Sequence, residues 1–169
     1  HGHFNELQID VVKSTWPLLA RDMEDTGCRI FITLFDLRPE VKALFPAFCD
    51  LSAHRLRESK KLQKHAVKFM NTIGFTIERL EDPDNKEATD MLMMLGAKHA
   101  TIKGFDVMYF HAFNKSILQA WEGVLRQEYT LDVKEAWTAV LEFMQAKLRD
   151  GYYLYLEEHD GDLEIAEDT

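Results

Sequence analysis

The sequence predicts an all-α fold. Three observations lead there: apolar residues recur at helical spacing in almost every segment, no stretch sustains the alternation of a half-buried strand, and only eight Gly and four Pro interrupt 169 residues. A hydrophobic share of 46% suits one globular domain and leaves little room for a second core.

Along the chain, residues 8–22 and 25–37 read as the first two helices. Pro17 falls in the middle of the first, which predicts a kink there or a boundary near Trp16. Pro39 suits the first turn of a short following helix. Between Arg57 and Leu80, Leu62, His65, Ala66, Phe69, Met70, Ile73 and Ile77 follow the i, i+3, i+4, i+7 rule while Glu58, Lys60, Lys61, Lys64 and Lys68 fill the other face, so one long amphipathic helix is expected. The run Glu81-Asp82-Pro83-Asp84-Asn85 stops it, because Pro83 lacks a backbone donor and disfavours the helical region at Asp82. In the next helix Met91, Leu92, Leu95 and His99 share a face, and Gly104 closes the segment. Helices of about 105–126, with Phe110, Phe113, Ile117 and Trp121 inward, and about 132–156, with Trp137, Val140, Leu141, Met144 and Leu148 inward, complete the chain.

Composition excludes several classes of function. A net charge of −9 disfavours a phosphate-backbone partner. No apolar run approaches the roughly 18 residues of a spanning helix, and the first residues lack the layout of a signal peptide. Cys28 and Cys49 are too few for a disulfide framework and have no zinc spacing, so the expected compartment is the cytoplasm and both thiols are read as inert packing groups. Seven of the acids lie in residues 157–169, which leaves the residues before them at −2. We therefore divide the chain into an extension at 1–7, a body at 8–156 and an acidic tail at 157–169. No nucleophile triad, catalytic carboxylate pair or Gly-rich phosphate loop stands out.

One constellation asks for chemistry. His65 and His99 each fall on the inward face of a separate helix. A lone His on such a face is commonly a hydrogen-bonded core residue; two of them among aromatics suit axial ligation of haem iron, for which neutral imidazole is a preferred donor. His54, beside Arg55 and Arg57, reads as exposed or as a propionate contact, and His111 lies one position off its helix's apolar stripe, facing outward or bonded between helices.

Widely spaced motifs agree. Trp16, Pro39 with Phe45 six residues on, Phe48 three further, Lys64-His65-Ala66-Val67-Lys68-Phe69 and Leu95-Gly96-Ala97-Lys98-His99-Ala100 together resemble the globin family over about residues 10–150. The resemblance implies a three-on-three helical sandwich around haem b, with His99 as the proximal and His65 as the distal histidine. It implies further pocket residues in Phe31, Phe45, Phe48, Phe69, Leu95, Phe105, Phe110 and Phe113, with Lys68 placed for a haem propionate. Within the family the chain looks like the hexacoordinate, neuroglobin-like nerve globins, with a nematode neuronal globin among the candidates. Phe31 and Cys49 fall where neuroglobin has Phe and Cys, but Cys28 lies on another helix, which puts a neuroglobin-type disulfide in doubt. Phe69 departs from the small aliphatic common at its position and implies a crowded distal side.

As to function, the resemblance implies a bis-histidyl haem protein acting as a redox or gas sensor or in electron transfer. Its ligands would be oxygen, nitric oxide or carbon monoxide, with a redox partner protein. The alternative is a reversible oxygen carrier or store. An enzyme such as a nitric oxide dioxygenase is the weaker class, since no reductase domain is fused in this sequence.

Overall fold

The computed structural model describes residues 4–159. It contains eight α-helices and no strand among the described residues: α1 Glu6–Leu19, α2 Met23–Leu37, α3 Pro39–Lys42, α4 Ala53–Glu58, α5 Lys60–Glu78, α6 Lys86–Ala100, α7 Tyr109–Leu125 and α8 Leu131–Glu158. Short 3-10 turns follow α1 and α7 and precede α6. None of the helices is long and apolar enough to cross a membrane.

Side-chain caps begin five of the eight helices. Asn5 and Gln8 bond reciprocally at the start of α1, at 2.8 and 3.1 Å, satisfying two backbone donors that would otherwise lack partners. Pro17 is accommodated inside α1, which ends at Leu19 and passes into a 3-10 turn at Ala20–Asp22. The expected first helix of 8–22 is therefore shorter at its C-terminal end. The expected single helix over 57–80 is two: α4 ends at Glu58, and the Ser59 hydroxyl accepts from the Leu62 N–H at 3.3 Å to begin α5. At the far end of α5 the buried Asn85 side chain donates to the carbonyls of Leu80, Arg79 and Asp82 (2.8, 3.3 and 3.4 Å), so the predicted stop at 81–85 is a specific cap as well as a proline effect. The segment expected to be helical from 105 enters α7 only at Tyr109, and Gly104, at φ +88°, sits in the turn before it.

Two apolar clusters fill the interior. One gathers Leu19, Ile73, Ile77, Trp121, Trp137, Val140 and their neighbours from α1, α5, α7 and α8. All three tryptophans of the chain meet there, with ring centroids 5.4–6.4 Å apart, and the buried Trp137 Nε1–H donates to Thr15 Oγ1 at 2.8 Å. The other cluster, richer in phenylalanine, joins α2, α4, the first half of α5 and the start of α7.

Against these, α6 is held by backbone proximity. A Cβ on Gly96 would lie 1.9 Å from the Leu148 carbonyl oxygen, and one on Gly151 would lie 2.0 Å from that of Met93. Only glycine permits α6 and α8 to approach this closely at both crossings.

Candidate functional site

The phenylalanine-rich cluster surrounds two imidazoles that arrive from different helices. α2 and α5 cross closely at Gly27, where an added Cβ would come within 2.7 Å of Ala66 Cβ. That approach sets Phe31 of α2 against the residue before Ala66, and the Phe31 and His65 ring centroids are 5.1 Å apart. Phe45, in the turns after α3, stands 5.4 Å from His65 and 6.1 Å from Phe31, and it stacks on the buried Phe48 at 5.4 Å. Phe69, one turn beyond His65, packs on Phe31 and Phe113 at 5.6 and 5.1 Å. Phe113 in turn lies 5.2 Å from Phe31.

His99 occupies a second aromatic nest. It is in the last turn of α6, with Phe105 and Phe110 at 5.1 and 5.3 Å. Its Nδ1 lies 2.7 Å from the Leu95 carbonyl oxygen one turn back. A carbonyl accepts only, so Nδ1 carries the proton and Nε2 keeps its lone pair. Burial pulls the His99 pKa below the usual imidazole value, with the Leu95 bond opposing it. His65 is lowered too, first by burial of its ring, then by the positive charge of Lys68 and by His99 itself. Both shifts favour the neutral, electron-donating form.

Every residue expected at the pocket lies in one of these two nests or at their edge. Leu95 contributes its carbonyl, and Lys68 is exposed beside His65, where its charge is felt. One expectation is corrected: His65 is not on a fully buried face. Its ring packs on Phe31 and Phe45 while the residue as a whole is exposed, because it borders the lysine-bearing side of α5. Cys49 is also no packing group; it is exposed, with its thiol 3.5 Å from the Pro46 carbonyl oxygen. Cys28 does pack, and burial with nearby Asp25 and Glu24 pushes its thiol up to about 11, so it stays protonated; both cysteines are free. His54 is exposed and pairs with Glu58 at 3.5 Å, and His111 is exposed. Sequence reasoning missed Phe35, 5.6 Å from Phe45, and Tyr152, 5.9 and 6.2 Å from Phe105 and Phe110. The Phe31 to Phe35 spacing was a usable signal for the first; Tyr152 is brought in by tertiary packing alone.

The sequence profile of the globin family matches residues 28–148. The chain belongs to the globin family. Among curated globins it is similar to cytoglobin-2 of Danio rerio, 27% identical over 137 residues that cover 80% of this chain and 75% of that protein. It is also similar to neuroglobin of Dissostichus mawsoni, 26% identical over 149 residues, 88% of this globin and 92% of the relative. In fold it resembles a hexacoordinated haem protein from an anhydrobiotic tardigrade, with a TM-score of 0.84, 21% identity, and coverage of 89% of this chain and 96% of that one. The expected all-α globin fold and the neuroglobin likeness are both borne out.

Proposed function

We propose that this globin binds haem b between His99 and His65 and works as a redox or diatomic-gas sensor or in electron transfer, serving poorly as an oxygen store. The observation that carries the reading is the His99 Nδ1 bond to Leu95, which leaves Nε2 as a fixed donor, while a second imidazole on α5 also favours its neutral form. The donor set fits the group: two neutral imidazoles, a preferred axial pair for haem iron, set among phenylalanine rings that suit an apolar macrocycle. Bound there, haem supplies an iron that takes up oxygen, nitric oxide or carbon monoxide and passes between two oxidation states.

The chain's own residues do the rest. His99 is held from its own helix as the proximal ligand. His65 has no hydrogen-bond partner among the described residues, so nothing would hold its ring from binding or leaving a haem iron, the two-state element a sensor needs. Phe31, Phe45, Phe48, Phe69, Leu95, Phe105, Phe110 and Phe113 would wall the cofactor, and Lys68 would be available to one of its propionates. An internal sixth ligand taxes every external one: a hundredfold preference for the His65-bound state weakens gas binding about a hundredfold, or roughly 2.7 kcal/mol. Phe31, Phe45 and Phe69 also offer no hydrogen bond to a bound polar gas, which disfavours storage. The functional domain is residues 8–156, acting in the cytoplasm with a redox partner protein.

Absorption spectra of haem-reconstituted protein test the reading. A six-coordinate low-spin reduced form, converted to five-coordinate by His65→Leu, is expected. A wild-type protein already five-coordinate when reduced, or one stable for hours in air with reversible gas release, restores the carrier.

A further inference from the structure

The face beside His65 carries a charge pattern of which the fold uses nothing and the pocket only Lys68. Between residues 54 and 68 the chain places Arg55, Arg57, Lys60, Lys61, Lys64 and Lys68 against a single acid, Glu58, although its overall charge is −9. All six cations are exposed, and none has an ion-pair partner among the described residues. Glu58 lies 3.5 Å from the His54 ring. At 100° per residue the four lysines of α5 fall within an arc of about 100°, opposite the buried Leu62, Ala66, Met70 and Ile73, with His65 at the border. Lys60 with Lys64, and Lys64 with Lys68, are like-charged i, i+4 pairs, an arrangement that weakens a helix unless something outside neutralises it. A cavity of about 450 Å³ opens beside α4, lined by Leu51, His54, Arg55, Glu58 and Ser59, with Arg55 the cation of the band on its wall.

We propose that this basic face is the docking surface for an acidic protein, whose carboxylates pair with Arg55, Arg57, Lys60, Lys61 and Lys64 and bring the partner beside His65. The proposal rests on the redox reading only for what the partner is for; the charge pattern needs no haem. Charge complementarity selects the occupant. A small acidic protein can touch the band alone, whereas the rest of the chain carries twice as many acids as Lys and Arg, so the band favours one orientation as well as attraction. A flat anionic membrane meets those acids together with the band. The apolar side of α5 is already buried in the core and has nothing to insert into lipid.

The probe is a fluorescein-labelled peptide of about ten glutamates, mixed in parallel with haem-free and haem-loaded protein at low salt and followed by anisotropy. Saturable binding is expected, weakened about tenfold by Lys60→Glu/Lys61→Glu/Lys64→Glu and less than about threefold by Lys103→Glu/Lys115→Glu/Lys134→Glu, which changes net charge equally at exposed lysines elsewhere. No binding by the wild type, or equal weakening by both triples, overturns the proposal. So does wild-type protein that sediments with phosphatidylserine-containing vesicles and ignores the peptide. Far-UV dichroism checks the fold; should the first triple unfold, the corresponding Lys→Gln triple gives the same comparison with a smaller loss, and no loss overturns the proposal. Failure of haem titration would refute the haem reading and leave the anisotropy result standing.

Discussion

Gly151→Ala is a small change with a large expected consequence. The added Cβ would sit 2.0 Å from the Met93 carbonyl oxygen, whereas ordinary contact begins at 3.4 Å, so α6 and α8 must part by about 1.4 Å. In an open helix the same substitution is favourable by about 1 kcal/mol, because alanine loses less conformational freedom. Overpacking costs about 1–3 kcal/mol where side chains can shift; here the obstacle is a backbone carbonyl in mid-helix, which puts the cost at about 3–4 and the net loss at about 2–3 kcal/mol. For a chain of this size that lowers the melting temperature by about 4–12 °C. Thermal unfolding of the haem-free protein by circular dichroism reads the effect. Gly123→Ala is the control: its site in α7 is exposed, and the new Cβ meets only the Arg29 Nη1 at 2.9 Å, the mobile end of a side chain. That variant is expected to melt at or slightly above the wild type. A Gly151→Ala protein that melts no lower than Gly123→Ala refutes the argument that backbone approach fixes α6.

Other outcomes are expected of the site and the core. His99→Ala is expected to lose haem retention and holoprotein stability together, since the fixed donor is gone; unchanged haem occupancy and spectrum would remove His99 as the proximal ligand. Burial lowers the His65 and His99 pKa values, so once pH falls to about 6.5 the unfolded chain binds more protons than the folded one. Their contribution is present above that pH and lost on acidification. Haem-free protein is therefore expected to melt lower at pH 5.5 than at 7.5, by a margin that shrinks in His99→Leu; an unchanged margin contradicts the assignment. Thr15→Val leaves the buried Trp137 Nε1–H without its acceptor, and denaturant titration is expected to show a loss of about 1–3 kcal/mol. A neutral result would mean that the indole finds another partner.

The sequence was most informative where one physical pattern acted alone. The stripe Leu62, Ala66, Met70, Ile73 and Ile77 marks the buried side of α5 because helical period and burial agree there. Pro83 marks its end. The break at Ser59 was hidden because the apolar period runs on through it, and a hydroxyl cap leaves no trace in that period. His65 illustrates the limit of periodicity for a site. Its position at the border of the stripe reads as inward, and only the exposed lysine row beside it and the tertiary packing of Phe31 and Phe45 decide how far inward. The Gly96 and Gly151 crossings were illegible for another reason: what each glycine meets is a carbonyl on a helix more than fifty residues away, and no local rule encodes that distance.

The gathering of Trp16, Trp121 and Trp137 into one cluster confines the protein's indole fluorescence to one region, the core of α1, α7 and α8. The phenylalanine-lined cluster that holds the histidines contains no indole, so tryptophan emission from the haem-free protein follows the first cluster and is blind to the second. Helical dichroism follows both. Unfolding curves from the two signals will superimpose only if the clusters yield as one cooperative unit, and a dichroic change that precedes the fluorescence change would identify the pocket half as the part that opens first.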